Sequence, residues 1–444
     1  MNIQTRQITP AEAAYMQALE DGSGRDTPSA AWLDARRAAA ADRFARLGLP
    51  HRRLEEWRWT DLRTALDRAY PPVGRDEAGR PQAIASPLAA LDRHLAVFVN
   101  GRFRPDLSDL EGLGDGVTVL SLADAVASAP AWLRDNLSEV YPQPDDAVAA
   151  LNEAFMADGA AIHLEAGARV EKPIELLFVT DGGRPGTVFA RNLIVAGPGA
   201  RALILETHVG TGEVPYVTNV TTEVTLADGA DIDHIRLQDD GADAVHLSNL
   251  HVRTAKDADY QSFTLSLGAR LTRNQGFVHL AGKRGHATVS GSCVLTGRQH
   301  CDTALLVDHA VPECTSRELF KCVMDDDSRG VFQGRIVVRQ DAQKTDGMQM
   351  SRGLLLSERA EFDAKPELEI FADDVRCTHG ATSGQIDGNQ LFYLRSRGIP
   401  EPEARALLIK AFVAEAIDEI PNEDVRAIYM DAVAAKLAAG GDGL

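Results

Sequence analysis

A short turn ending in alanine recurs along the middle of this chain, as Gly167-Ala168, Gly199-Ala200, Gly229-Ala230, Asp257-Ala258 and His286-Ala287, with intervals of 32, 30, 28 and 29 residues between the alanines. Each turn runs into a strand-like segment: Arg169-Val, Arg201-Ala-Leu-Ile-Leu, Asp231-Ile-Asp-His-Ile, Asp259-Tyr-Gln-Ser-Phe and Thr288-Val-Ser-Gly-Ser. From about residue 158, helix signals nearly vanish over more than 200 residues. An imperfect period of strands and turns without helices predicts a stacked β-solenoid, because one coil cannot bury its inner face alone and stacking builds a shared core. An antiparallel sandwich is the alternative, but it predicts turns every 8 to 12 residues and no longer register. The repeat shows no clear continuation between about 300 and 355.

The flanks have a different texture. Thr9-Pro10-Ala11-Glu12 sets a capping hydroxyl, a proline and a glutamate where a helix start needs them, predicting a helix over about 10–20. A second helix is expected from Ser29 to about Leu47, ending at Gly48-Leu49-Pro50. Trp32, Trp57 and Trp59 could stack on a cofactor, but the favoured reading makes them packing anchors. Runs such as Ala96-Val-Phe-Val-Asn100, Ile174-Glu-Leu-Leu-Phe-Val-Thr180 and Leu193-Ile-Val195 read as strands, with helical patches over 121–157. After Gln390, Pro400-Glu-Pro-Glu opens a helix whose stripe is Ile409, Phe412, Val413, Ala416, Ile417 and Ile420. A second helix beyond Pro421 carries Val425, Ile428, Tyr429, Val433 and Leu437. These helices either cap the solenoid or dock a partner. The expected organisation is mainly β: a mostly helical unit over 1–150, a solenoid core over 151–389 and a helical unit over 390–444.

Composition narrows the function classes. Lys and Arg number 46 against 65 Asp and Glu, a net charge of −19, which opposes binding to a nucleic-acid backbone or an anionic membrane surface. No apolar leader core and no run of 18 apolar residues occurs, so a cytoplasmic protein is expected. Five cysteines, none before Cys293, fit a reducing compartment, with cysteine chemistry expected of thiols, metal or sulfur transfer.

Chemical motifs are few. There is no G-x-x-x-x-G-K-[ST], G-x-S-x-G, H-E-x-x-H or C-x-x-C, so any ATP is hydrolysed by another chain and the protein reads as a non-enzyme. Cys293, His300, Cys301, His309, Cys314 and Cys322 match no zinc or iron–sulfur spacing and are expected to be mainly structural strand residues. Cys377 and His379 differ, since two metal-capable side chains two apart share one face of an extended segment. Alone they make an incomplete site.

Ser351-Arg-Gly-Leu, Ala364-Lys-Pro-Glu-Leu-Glu-Ile, Asp373-Asp-Val-Arg-Cys-Thr-His-Gly-Ala-Thr and Phe392-Tyr-Leu-Arg-Ser-Arg-Gly-Ile closely resemble the C-terminal core of the SufB/SufD family. Gly48-Leu-Pro-His-Arg-Arg-Leu-Glu-Glu-Trp-Arg-Trp-Thr-Asp-Leu62 resembles its SufD branch in particular. The resemblance implies a scaffold subunit of the SUF iron–sulfur cluster assembly machine, with a right-handed parallel β-helix between helical domains. It implies pairing with a SufB-like subunit through the β-helices and binding of a SufC-like ABC ATPase through the C-terminal helices. A transient iron–sulfur cluster or iron would sit at the SufB interface, with Cys377 and His379 as this chain's ligands. Arg395, Arg397, Ile409, Phe412, Val413 and Ile417 are the expected ATPase-side residues, the two arginines also being candidates for plain surface ion pairs. A homodimer of the isolated chain is compatible with this reading. The alternatives are a SufB-like subunit, disfavoured by the missing N-terminal cysteines, and a polysaccharide-acting β-helix enzyme, disfavoured by the missing signal peptide.

Overall fold

The computed structural model describes residues 7–24, 30–74, 86–139, 145–181, 183–210 and 214–439. Helices α1 (Pro10–Asp21), α2 (Ala31–Leu47), α3 (Leu62–Ala65), α4 (Leu122–Ser128), α5 (Ala131–Arg134) and α6 (Ala147–Phe155) precede or interrupt the first strands. Helices α7 (Gly388–Ser396), α8 (Glu401–Ile417) and α9 (Glu423–Ala439) close the chain. The expected capping box forms at α1, where Thr9 Oγ1 accepts from the Glu12 amide and Glu12 accepts from the Thr9 amide. The expected first residue of α2, Ser29, lies outside the described residues; α2 follows Ala30, which provides no side-chain cap.

Two long sheets face each other. One contains β1 (His94–Val99), β2 (Arg102–Phe103), β5 (Ile174–Thr180), β7 (Arg201–Gly210), β9 (Asp231–Asp239), β11 (Asp259–Ser266), β13 (His286–Leu295), β15 (Thr315–Met324), β17 (Asp346–Leu355) and β19 (Arg376–Gly384). The other contains β3 (Val117–Ser121), β4 (Ala160–Leu164), β6 (Thr187–Ala196), β8 (Val217–Leu226), β10 (Val245–Thr254), β12 (Leu271–Leu280), β14 (His300–His309), β16 (Arg329–Val338) and β18 (Glu361–Ile370). From β4 to β19 successive strands alternate between sheets and pair in parallel, giving a β-solenoid of about 8 turns and ruling out the antiparallel sandwich. β1 extends the first sheet in parallel beside β5, so the solenoid begins in a segment otherwise rich in helix.

The coils continue without a break through 300–355, where the sequence signal lapses. The turn residue before each of β7, β9, β11, β13, β15 and β17 adopts a left-handed φ: Gly199 (67°) and Gly229 (68°), then Asp257 (56°), Arg284 (58°), Glu313 (67°) and Lys344 (63°). The conformation persists while glycine gives way to residues for which it costs about 1 to 2 kcal/mol. Next comes a small buried residue: Ala200, Ala230, Ala258, Gly285, Cys314 and Thr345. The fifth repeat is therefore Arg284-Gly285 rather than His286-Ala287, because Ala287 sits inside β13 opposite Tyr260.

Helices cover the outer walls. Of the three tryptophans, Trp57 is the buried anchor, with Arg273 4.5 Å over its ring; that guanidinium is itself paired to buried Asp302 at 2.6 Å. Ile409, Val413, Ile417, Val425, Tyr429 and Val433 pack α8 and α9 onto the outer face of the first sheet, against Leu237, Phe263 and Val323. Cys293 and Cys322 lie opposite each other on β13 and β15 and are joined as a disulfide, whereas the sequence reading expected thiols. Their matched register on one inward-facing ladder brings them together. Cys301 and Cys314 are buried, free thiols.

Candidate functional site

Cys377 and His379 lie on β19, the last strand of the first sheet. Their spacing puts both on the inward face, with Cys377 opposite Gly347 and His379 opposite Gln349 on β17. Cys377 is half-buried against Ile336, Val338 and Leu368, while His379 is exposed. Burial pushes the Cys377 thiol up; a hydrogen bond with the Gly347 backbone opposes this, and the Asp346 and Glu318 carboxyls add to it. Among the described residues no group of three or more His, Cys, Asp or Glu could hold a metal ion.

The floor beneath the pair is polar, and the sequence reading missed it. One inward ladder runs His234, Ser262, Val289, Glu318, Gln349, His379 through successive coils. Glu318 is fully buried; its Oε1 accepts from Ser316 at 3.4 Å and its Oε2 has no partner, so burial raises its carboxyl to about 8. Neither amide atom of buried Gln349 has a partner, and its amide occupies space that a Cβ at Gly334 would fill. The signal for this floor was the coil register, which the lapse of the repeat beyond 287 concealed.

The last coil is left open. Among the described residues β18 pairs only with β16 and β19 only with β17, so both sheets end in unpaired edges. Phe371, at 64% exposure, and Ile370 project beside these edges. Pro366 sits within β18, where an edge strand tolerates a missing donor.

The expected ATPase-side residues fall into two groups. Ile409, Val413 and Ile417 are completely buried against the chain's own sheet and cannot meet a partner while α8 stays docked. Half-buried Phe412 lies over the Lys321 ammonium at 4.4 Å, and Lys321 also pairs with Glu415. Their stripe was legible; what it packs against was not. Arg395 pairs with Glu401 at 3.1 Å and Arg397 stacks 5.2 Å from the Tyr393 ring, so these contacts tie α7 to α8 and to itself. The apolar side chains facing out are Phe392, at 73% exposure, Tyr393 and Leu407. Between α7 and α8, a hollow is lined by Asn389, Gln390, Tyr393, Leu394 and Leu408.

Residues 178–412 match the model described as SUF system FeS cluster assembly, SufBD core domain, and residues 12–176 match that of the SufBD protein N-terminal region. The chain belongs to the SufBD family of iron–sulfur cluster assembly proteins. Within that family it is similar to the iron–sulfur cluster assembly protein SufD of Escherichia coli, 31% identical over 403 residues that cover 89% of this chain and 91% of that one. It is also 32% identical over 415 residues to an iron–sulfur cluster assembly SufBD family protein of Synechocystis, covering 91% of each. The SufD of Bacillus subtilis is 28% identical over 279 residues, 62% of this chain and 64% of that one. The chain is thus a SufD-like scaffold protein of iron–sulfur cluster assembly. Among the described residues no helix is long and apolar enough to cross a membrane.

Proposed function

We propose that this chain works as one half of a paired scaffold: its open solenoid end joins a SufB-like subunit, and Cys377 and His379 supply two of the ligands that hold a nascent iron–sulfur cluster or iron at the junction. The observation that carries the reading is the coincidence of the two donors with unfinished sheet edges. An unpaired edge invites a further strand, and a two-donor set needs donors from elsewhere. A thiolate and an imidazole hold a cluster less firmly than four thiolates, which suits a cargo that must leave. The same open edge allows a homodimer when the isolated chain lacks its partner. A SufC-like ABC ATPase would dock on the outer side of α7 and α8, at Phe392, Tyr393 and Leu407 beside Arg395 and Arg397. Ile409, Val413 and Ile417 would hold that platform on the sheet. The chain itself performs no catalysis in this scheme.

Co-expression with SufB-like and SufC-like subunits tests the reading. The expected result is one complex containing all three chains, with iron and acid-labile sulfide bound. A complex that forms equally well when residues 361–384 are altered at the open edge would place the junction elsewhere.

A further inference from the structure

Inside the lumen, under the middle coils, lies a cavity of about 40 Å³, room for roughly three water-sized particles. Two glycines keep it open. A Cβ at Gly276 would come 2.9 Å from Leu305 Cδ1, and one at Gly291 would come 2.9 Å from the Thr264 carbonyl and 3.0 Å from the Phe320 ring. Thr264, Ser266, Asn274 and Thr303 contribute polar lining, and none of the lining residues carries a carboxylate.

Arg236 enters this cavity from β9 with 8% exposure. One guanidinium nitrogen donates to Ser248 Oγ at 3.1 Å, but Nε has no partner, and among the described residues no ion pair to Arg236 occurs. Its ladder neighbour Glu206 is already engaged: Oε1 accepts from His208 at 2.8 Å, while Oε2 faces His234 at 3.1 Å and accepts from Thr222 at 2.9 Å. Lys321, the other cation beside the cavity, is answered by Glu415 on α8. A guanidinium cannot shed its proton, and a buried charge without a counter-charge in direct contact is expensive. Water would satisfy the orphan Nε but would bring no charge.

We propose that the lumen cavity is a binding site for one small monovalent anion of halide size, held by the Arg236 guanidinium and surrounded by the neighbouring hydroxyl and amide groups. The anion compensates the buried charge, and the shape of the cavity selects for size.

Thermal unfolding of the full-length protein at constant ionic strength, with gluconate replaced stepwise by bromide, gives the first readout. The midpoint is expected to rise saturably by about 2 °C or more, as for any ligand that binds only the folded state. Arg236→Met should abolish the rise, and Thr264→Val should weaken it. Crystals of the unaltered protein grown in bromide give a second readout that does not depend on a variant folding: an anomalous bromine peak beside Arg236 Nε is expected. Water alone at that position, or a bromide response that persists in Arg236→Met, overturns the proposal.

Discussion

At the first coil, the lumen-facing ring of Phe98 stacks 4.7 Å from Phe178 and is covered by Phe103, Leu110 and Leu113, while β2 and β3 finish the two sheets with antiparallel pairs. At the last coil, β18 and β19 have no further neighbour among the described residues, and Cys377, His379, Ile370 and Phe371 stand at or near the rim. Two buried carboxyls, Glu206 and Glu318, differ in what surrounds them. Burial pushes Glu206 up, but hydrogen bonds from His208 and His234 outweigh it and hold that carboxyl well below the usual range. Glu318, near the open end, has only Ser316 to oppose burial and rises to about 8. One end completes its contacts within the chain, whereas at the other, among the described residues, the outer edges of β18 and β19 stay unpaired.

The contrast breaks first on stability. Phe98→Ala should cost about 3 to 5 kcal/mol of unfolding free energy, as large core truncations do. Phe371→Ala should stay within about 0.5 kcal/mol, as exposed changes do. Equal losses in urea titrations would mean that the last coil is as finished as the first. Association should show the reverse ranking: Ile370→Asp with Phe371→Asp is expected to weaken pairing with the SufB-like subunit by about 30-fold, the loss of roughly 2 kcal/mol typical of a hot spot. Undiminished co-purification would count against the open-end junction. Cys377→Ser with His379→Ala should leave the complex intact while lowering iron affinity by at least about tenfold, a loss that changes around ligands already produce. Iron and sulfide analysis beside size-exclusion chromatography reads both outcomes.

Glu318 sharpens the comparison through pH. Its folded value lies above its ordinary 4.5, so between about 4.5 and 8 the native state retains a proton that the unfolded chain has lost, and stability falls as pH rises. Glu318→Gln should remove this slope, with a stabilising effect about 3 kcal/mol larger at pH 8 than at pH 5, measured by urea unfolding. Glu206 acts oppositely, its contribution being lost as pH falls below the carboxylate range. The smallest effect belongs to Arg395→Ala, which removes an exposed pair with Glu401 and should change stability by about 0 to 1 kcal/mol. A larger effect confined to ATPase binding would mark Arg395 as a partner contact.

The solenoid was legible from Gly199-Ala200 to Asp257-Ala258 because glycine and alanine mark the left-handed turn and the small buried position together. It faded where Arg284, Glu313 and Lys344 hold the same φ without the residue type that advertises it. Cys377 and His379 were legible as neighbours on a strand, since a two-residue spacing needs no tertiary information. Glu318 and Gln349 were not, because their nearness to the pair comes from coil register across about 30 and 60 residues of sequence. The stripe Ile409, Val413 and Ile417 was legible as apolar, but an apolar helix face reads alike whether it meets its own sheet or another protein.

The anchorage of α8 also has a mechanical side. Lys321 and Phe412 clamp that helix to β15, and β15, β17 and β19 form one unbroken hydrogen-bonded run ending at Cys377 and His379. At about 4.8 Å per strand, the clamp and the rim are roughly 10 Å apart along the solenoid axis. No loop or hinge interrupts that stretch of wall to absorb a displacement. A push or twist delivered to α8 would therefore be carried to the rim through that wall.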